Sequence, residues 1–103
     1  MVIYEVNLVI DAEIAEAYGA WLGEHIEAIL AIEGFVSADW EVSEEGTAGK
    51  ALWSVRYTLR DRAALDRYYA EHAPRMRADG LERFGDRFSA SRRVLELRRR
   101  YPG

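Results

Sequence analysis

The stretch YYAEHAPRMRADGLERFG, residues 68–85, has a counterpart in WLGEHIEAIL, residues 21–30, and together they decide the fold. In each, a Glu-His pair follows an aromatic residue four positions before the histidine: Trp21 before His25, and Tyr68 before His72. Apolar residues recur at spacings of three and four around both pairs. In the first they are Ile14, Tyr18, Trp21, Leu22, Ile26, Ile29 and Leu30; in the second, Leu65, Tyr68, Tyr69, His72, Ala73 and Met76. Such a stripe is the buried face of an amphipathic helix. The spacing predicts two equivalent helices, capped at their starts by Asp11 and Asp61 and stopped by Gly34 and Gly85. Pro74 lacks a backbone donor and crowds the preceding turn, so the second helix should kink or break near residues 73 and 74.

Strand patterns flank both helices. Residues 2–10 alternate, with Val2, Tyr4, Val6, Leu8 and Ile10 on one side and Ile3, Glu5, Asn7 and Val9 on the other. FVSADWEV (35–42) and KALWSVRYTL (50–59), joined by the polar SEEGTAG, read as a hairpin. Its inner face should carry Val36, Ala38, Trp40, Val42, Ala51, Trp53, Val55, Tyr57 and Leu59. RFSASRRVLEL (87–97) is a last strand whose phase changes: Phe88, Ala90 and Val94 align, whereas Leu95 and Leu97 fall on the opposite side. A bulge near Arg92-Arg93 would account for the change. The order β-α-β-β-α-β implies an α+β, ferredoxin-like sandwich, a four-stranded antiparallel sheet with both helices on one face. A single domain over residues 1–97 is expected, followed by a short basic tail at 98–103.

The chain has 103 residues, a length that supports one core. A net charge of -4 argues against a nucleic-acid partner, which requires a basic face. No run is long and apolar enough for a membrane span, and MVIYEVNLVI does not read as a signal peptide. Without cysteine there is no disulfide, thiolate nucleophile or sulfur-ligated metal, and a cytoplasmic location is expected.

The sheet face away from the helices carries Glu5, Asn7, Ser37, Asp39, Glu41, Arg56 and Thr58, but also Ile3, Val9, Phe35 and Leu52. That is more apolar surface than a solvated face needs, so a homodimer joined through its sheet faces is expected.

The phrases MVIYEVNLVID, WLGEHI, AILAIEGF and, above all, YYAEHAPRMRADGLERFGDRFSASRRVLE resemble the bacterial family known as domain of unknown function 4286. That family is similar to the dimeric α/β-barrel superfamily, ferredoxin-like protomers joined through their sheets. The resemblance implies that fold and a dimer. It does not choose among the cofactor-free monooxygenases, haem-degrading enzymes, lactone isomerases and effector-binding domains of the superfamily. Where the family often has His-Ile-Pro in the first helix, this chain has His25-Ile26-Glu27, so no proline shapes the pocket there.

Both histidines should point towards the sheet, because at about 100° per residue each falls within its apolar stripe. One reading is a packed, neutral imidazole bonded to a backbone carbonyl or tyrosine hydroxyl. The other is a general base bordering a pocket between helices and sheet. Pro74 frees a carbonyl beside His72, which makes His72 the candidate acid/base, with His25, Tyr68, Trp21, Trp53 and Tyr57 around a pocket for a small apolar or aromatic molecule. Glu24 and Glu71 point away from their histidines, so neither a metal nor another cofactor is implied. Arg75, Arg77, Arg83, Arg87, Arg92 and Arg93 read as a solvated face paired with Asp79, Glu82 and Asp86 rather than as an anion site. Two functions follow: a small-molecule-binding or interaction protein, or a cofactor-free enzyme of monooxygenase or isomerase type.

Overall fold

The computed structural model describes all 103 residues. Val2–Asp11 form strand β1, Ala15–Leu30 helix α1, Phe35–Val42 β2, Lys50–Leu59 β3, Arg62–Glu71 α2, Ala73–Phe84 α3 and Phe88–Glu96 β4. The strands lie in the order β2-β3-β1-β4, antiparallel throughout. This is the ferredoxin-like α+β fold that the alternation implied. Tyr4, Leu8 and Ile10 of β1 and Val55, Tyr57 and Leu59 of β3 form a core with Tyr18, Leu22 and Ile29 of α1 and Leu65 and Tyr68 of α2. Each large side chain so buried stabilises the fold by about 1.5–3 kcal/mol.

Asp61 caps α2 as its position suggested, accepting a hydrogen bond from the Ala64 amide at 2.9 Å. The proline effect is a full break. His72 (φ -129°, ψ -37°) separates α2 from α3, and Pro74 takes one of the first positions of α3. There its missing donor is one that a helix start leaves unpaired anyway. Gly34 is required twice over: its φ is 98°, and a Cβ there would lie 2.4 Å from the Cβ of Ala64. It sets the approach of β2 beneath α2 rather than the end of α1, which stops at Leu30.

Four local expectations are corrected. Asp11 does not cap a helix. It ends β1, a short 3-10 turn at Ala12–Ile14 precedes α1, and its carboxylate is held by Lys50 and by Arg87 (2.8 Å). Phe35 does not belong to the open face. An irregularity between Phe35 and Ser37 turns the Phe35 ring towards the helices, against Tyr57 at 5.7 Å and Tyr68 at 5.1 Å, and leaves Val36 exposed. Trp40 and Val42 are not core residues, because β2 is an edge strand and its far end is uncovered; Val42 is 65% exposed. There is also no bulge in β4. Its register with β1 is unbroken from Val2↔Glu96 to Ile10↔Phe88. Phe88, Ala90, Arg92 and Val94 therefore face the helices, and Leu95, paired with Ile3, belongs to the open face.

On that open face Glu5 is only 6% exposed, because its partners across the ladder, Arg56 and Arg93, lie over it. Arg93 Nε donates to Oε1 at 2.8 Å, Arg56 Nε stands 3.3 Å from Oε2, and Asn7 Nδ2 donates to Oε1 at 3.0 Å. Ser54 Oγ in turn donates to Asn7 Oδ1 at 2.7 Å. The hydrogen bonds from Arg93 and Asn7 hold the Glu5 carboxyl below its ordinary range, against the cost of its desolvation.

Candidate functional site

Between α1, α3 and the sheet lies a cavity of about 50 Å³. Strand alternation supplies its floor: Tyr4, Val6 and Leu8 from β1, Val55 and Tyr57 from β3, and Phe88, Ala90 and Arg92 from β4. Tyr18, Trp21, Leu22, His25 and Ile29 of α1 form one wall, and Met76, Arg77 and Gly80 of α3 the other, with Tyr68 of α2 at the end.

The sequence-derived candidates divide. His25, Tyr68, Trp21 and Tyr57 line the cavity, whereas His72 and Trp53 do not. Trp53 packs on Trp40 (5.1 Å) beside Gly19, where α1 comes too close to leave space. His72 sits at the helix break, its Nδ1 2.7 Å from Arg75 Nη2 and its Nε2 4.0 Å from the Glu71 carboxylate. The break that made His72 a candidate thus turns its ring towards the surface side of its own helices.

His25 stacks on the Trp21 indole, with ring centroids 4.4 Å apart and planes at 22°. Trp21 is itself anchored: Nε1 donates to Asp79 Oδ2 at 2.8 Å, and Gly80 lets the ring lie flat on α3. Desolvation lowers the pKa of His25; the charge of Asp79 opposes that shift and the charge of Arg92 adds to it. The ring is neutral at physiological pH and can accept a proton.

Burial pushes the phenols of Tyr18 and Tyr68 up to about 12 and raises Tyr57 further, so all three stay protonated. None of these hydroxyls is bonded to a protein partner, and yet no fully enclosed polar side-chain atom in the molecule lacks one. The three O–H groups therefore face the open space of the cavity. Arg77 reaches the same space, Nη2 donating to the Tyr4 hydroxyl at 3.1 Å while the guanidinium lies 5.8 Å from the centroid of the Tyr69 ring. The only side chain here that can take up a proton near neutrality is His25; the others offer donors on an apolar, aromatic surface.

Tyr4, Asp79 and Gly80 were missed by sequence reasoning, and Arg77 and Arg92, which it assigned to a solvated face, line the cavity. Arg77 and Gly80 share the inner face of α3 with Ala73, a three-and-four spacing that was legible. Arg92 was hidden by the expected bulge, since strict alternation alone puts it beside Ala90 on the helix-facing side.

A family model described as "Domain of unknown function (DUF4286)" matches residues 1–98. The chain belongs to this family. Its fold is shared with dimeric α/β-barrel proteins. A variant of SnoaB, a cofactor-independent oxygenase from Streptomyces nogalater, superposes with a TM-score of 0.70 at 14% identity, covering 99% of this chain and 98% of that one. Rv0793 from Mycobacterium tuberculosis gives 0.64 at 23% identity, covering 98% and 99% respectively. The de novo designed protein Foldit4 gives 0.62 at 15% identity, covering 94% and 98%. At such identities the likeness is one of fold, and a designed member makes plain that this fold carries no fixed chemistry. No curated protein matches the DUF4286 chain in sequence.

Proposed function

We propose that the protein binds a small, flat, largely apolar or aromatic molecule in the cavity between α1, α3 and the sheet, as a cytoplasmic homodimer joined through its open sheet faces. The observation that carries this reading is the set of three tyrosine hydroxyls without protein partners facing one aromatic-walled space. A core built only to be filled would have satisfied or excluded them. The dimer rests on the apolar residues of the open face, Ile3, Val9, Leu52 and Leu95, around the Glu5 ion cluster. Absence of cysteine suits a reducing compartment. The test is an NMR titration with two probes of one shape, benzoate and benzamide, reading the Trp21 indole and the His25 ring. Saturable shifts of these signals are expected with at least one probe, and silence with both defeats the reading.

A second reading, enzymatic, is favoured by the neutral His25 inside that cavity. In it His25, rather than His72, removes a proton from an acidic O–H or C–H of the ligand. The resulting anion is reprotonated elsewhere or oxidised by dioxygen, without metal or flavin, as the fold's cofactor-independent oxygenase allows. Carbon deuteration of benzoylacetone in heavy water tests it. Wild type should exceed buffer and His25→Gln should not; equal rates for both proteins sink the enzymatic reading.

A further inference from the structure

The protein carries a net charge of -4 and eighteen acidic residues. No Asp or Glu lines the cavity, yet two arginines, Arg77 and Arg92, do. Six other arginines are matched to carboxylates, Arg56 and Arg93 to Glu5, Arg60 to Glu33 and Asp61, Arg62 to Asp66, Arg83 to Asp79, and Arg87 to Asp11 and Glu13, whereas the unmatched Arg67, Arg75, Arg98, Arg99 and Arg100 lie outside the cavity. Neither cavity arginine has a carboxylate within ion-pair distance; Arg77 bonds only to the Tyr4 hydroxyl, and Arg92 to nothing. Asp79, which touches the wall from outside, is already engaged by Trp21 and Arg83.

The cavity is therefore rich in donors and holds no anionic acceptor. Three phenol O–H groups and two guanidinium forks converge on one space, with the His25 imidazole as its single titratable acceptor. Arg92, an exposed residue paired with Val6 in the ladder, lines the cavity from β4 beside Ala90. Arg77 enters from α3 on the far wall. A guanidinium is planar and presents paired N–H groups that match a planar oxyanion. The aromatic walls match the rest of a flat molecule.

We propose that the ligand of this cavity is an aromatic oxyanion, its charged oxygens on Arg92 and Arg77 and its ring against Trp21 and the tyrosines. The proposal rests on the cavity being a binding site, as argued above, and specifies what that site takes. Carboxylate and phenolate share the required chemistry, and the probes separate them.

Affinities of benzoate, para-nitrophenolate and benzamide are measured by NMR titration for the wild type, Arg92→Gln, Arg92→Lys and, as a control with the same loss of charge on the exposed face of α2, Arg67→Gln. Benzoate or para-nitrophenolate should bind about tenfold or more tightly than benzamide, and the better of the two names the oxyanion. Arg92→Gln should lose about tenfold for the anion and little for benzamide, Arg92→Lys should fall between, and Arg67→Gln should match the wild type. Benzamide binding as well as both anions, or Arg92→Gln behaving as Arg67→Gln does, overturns the oxyanion while leaving the cavity a binding site. If no probe binds at all, both readings fall.

Discussion

The indole Nε1 of Trp21 donates to the carboxylate of Asp79 at 2.8 Å, joining α1 to α3 across 58 residues of sequence. The ring so fixed is the surface on which His25 stacks, so one hydrogen bond at the rim positions two members of the cavity wall. The Asp79 carboxyl is correspondingly held below its ordinary range, first by this bond.

Asp79→Ala should cost about 1 kcal/mol of stability in denaturant unfolding, the ordinary worth of such a bond. Packing alone would stop there. The geometry adds that the His25 midpoint should move further down, because the Asp79 charge is what opposes its desolvation. An imidazole titration by NMR reads this directly, and an unchanged midpoint contradicts the coupling.

Gly80→Ala should destabilise the protein by up to about 2 kcal/mol, although alanine is the better helix former by about 1 kcal/mol. The added Cβ would lie 3.0 Å from Trp21 Cη2 and 3.5 Å from Phe88 Cζ, and Trp21 is pinned by Asp79. In the Asp79→Ala background the indole can yield, so the penalty should shrink. Additive costs in the double-mutant cycle would show that Trp21 is not held as described.

His25 gives a defined acid limb to stability. Its folded pKa lies below the ordinary imidazole value near 6.5, so above that value neither folded nor unfolded chain carries the proton. As pH falls below it the unfolded chain protonates first, and stability declines until the folded midpoint is passed. Thermal unfolding from pH 8 to pH 5 should show this slope in the wild type and a flatter one in His25→Gln.

Glu5 produces a second limb at lower pH. Its folded pKa is depressed, so its contribution is present above the ordinary carboxylate range and is lost as pH falls through the folded value. Asp11 and Asp79 are depressed likewise, so in thermal unfolding below pH 5 Glu5→Gln should make that limb shallower without abolishing it, and should leave the His25 limb in place.

The open face is tested separately by sedimentation at tens of micromolar. The wild type should run at about twice 11.8 kDa, and Leu95→Asp, which places an unpaired charge opposite Ile3, should run as a monomer. A monomeric wild type defeats the sheet-to-sheet assembly.

Element identity and order were legible because they rest on local periodicity. The alternation of residues 2–10, the bounds of β2 and β3, the Asp61 cap and the interruption at Pro74 all follow from neighbours along the chain. What failed were choices between two locally equal alternatives. A change of apolar phase in β4 reads equally as a bulge or as a strand with apolar residues on both faces, and only pairing with β1 selects the second. That choice moved Arg92 to the cavity and Leu95 to the open face.

The histidines show the same division. Sequence spacing placed His25 on the inner stripe of α1, because spacing along an unbroken helix sets direction, but the same reasoning failed for His72, which lies in the break between α2 and α3. Which of them meets open space was decided by the tertiary structure. Cavity position depends on how closely α1 and α3 approach one another and the sheet, and that is set by Gly80, Gly19 and the break at His72 acting together. Contacts between elements distant in sequence leave no periodic trace, so the cavity, its unpaired arginines and its neutral imidazole emerge only when the chain is folded.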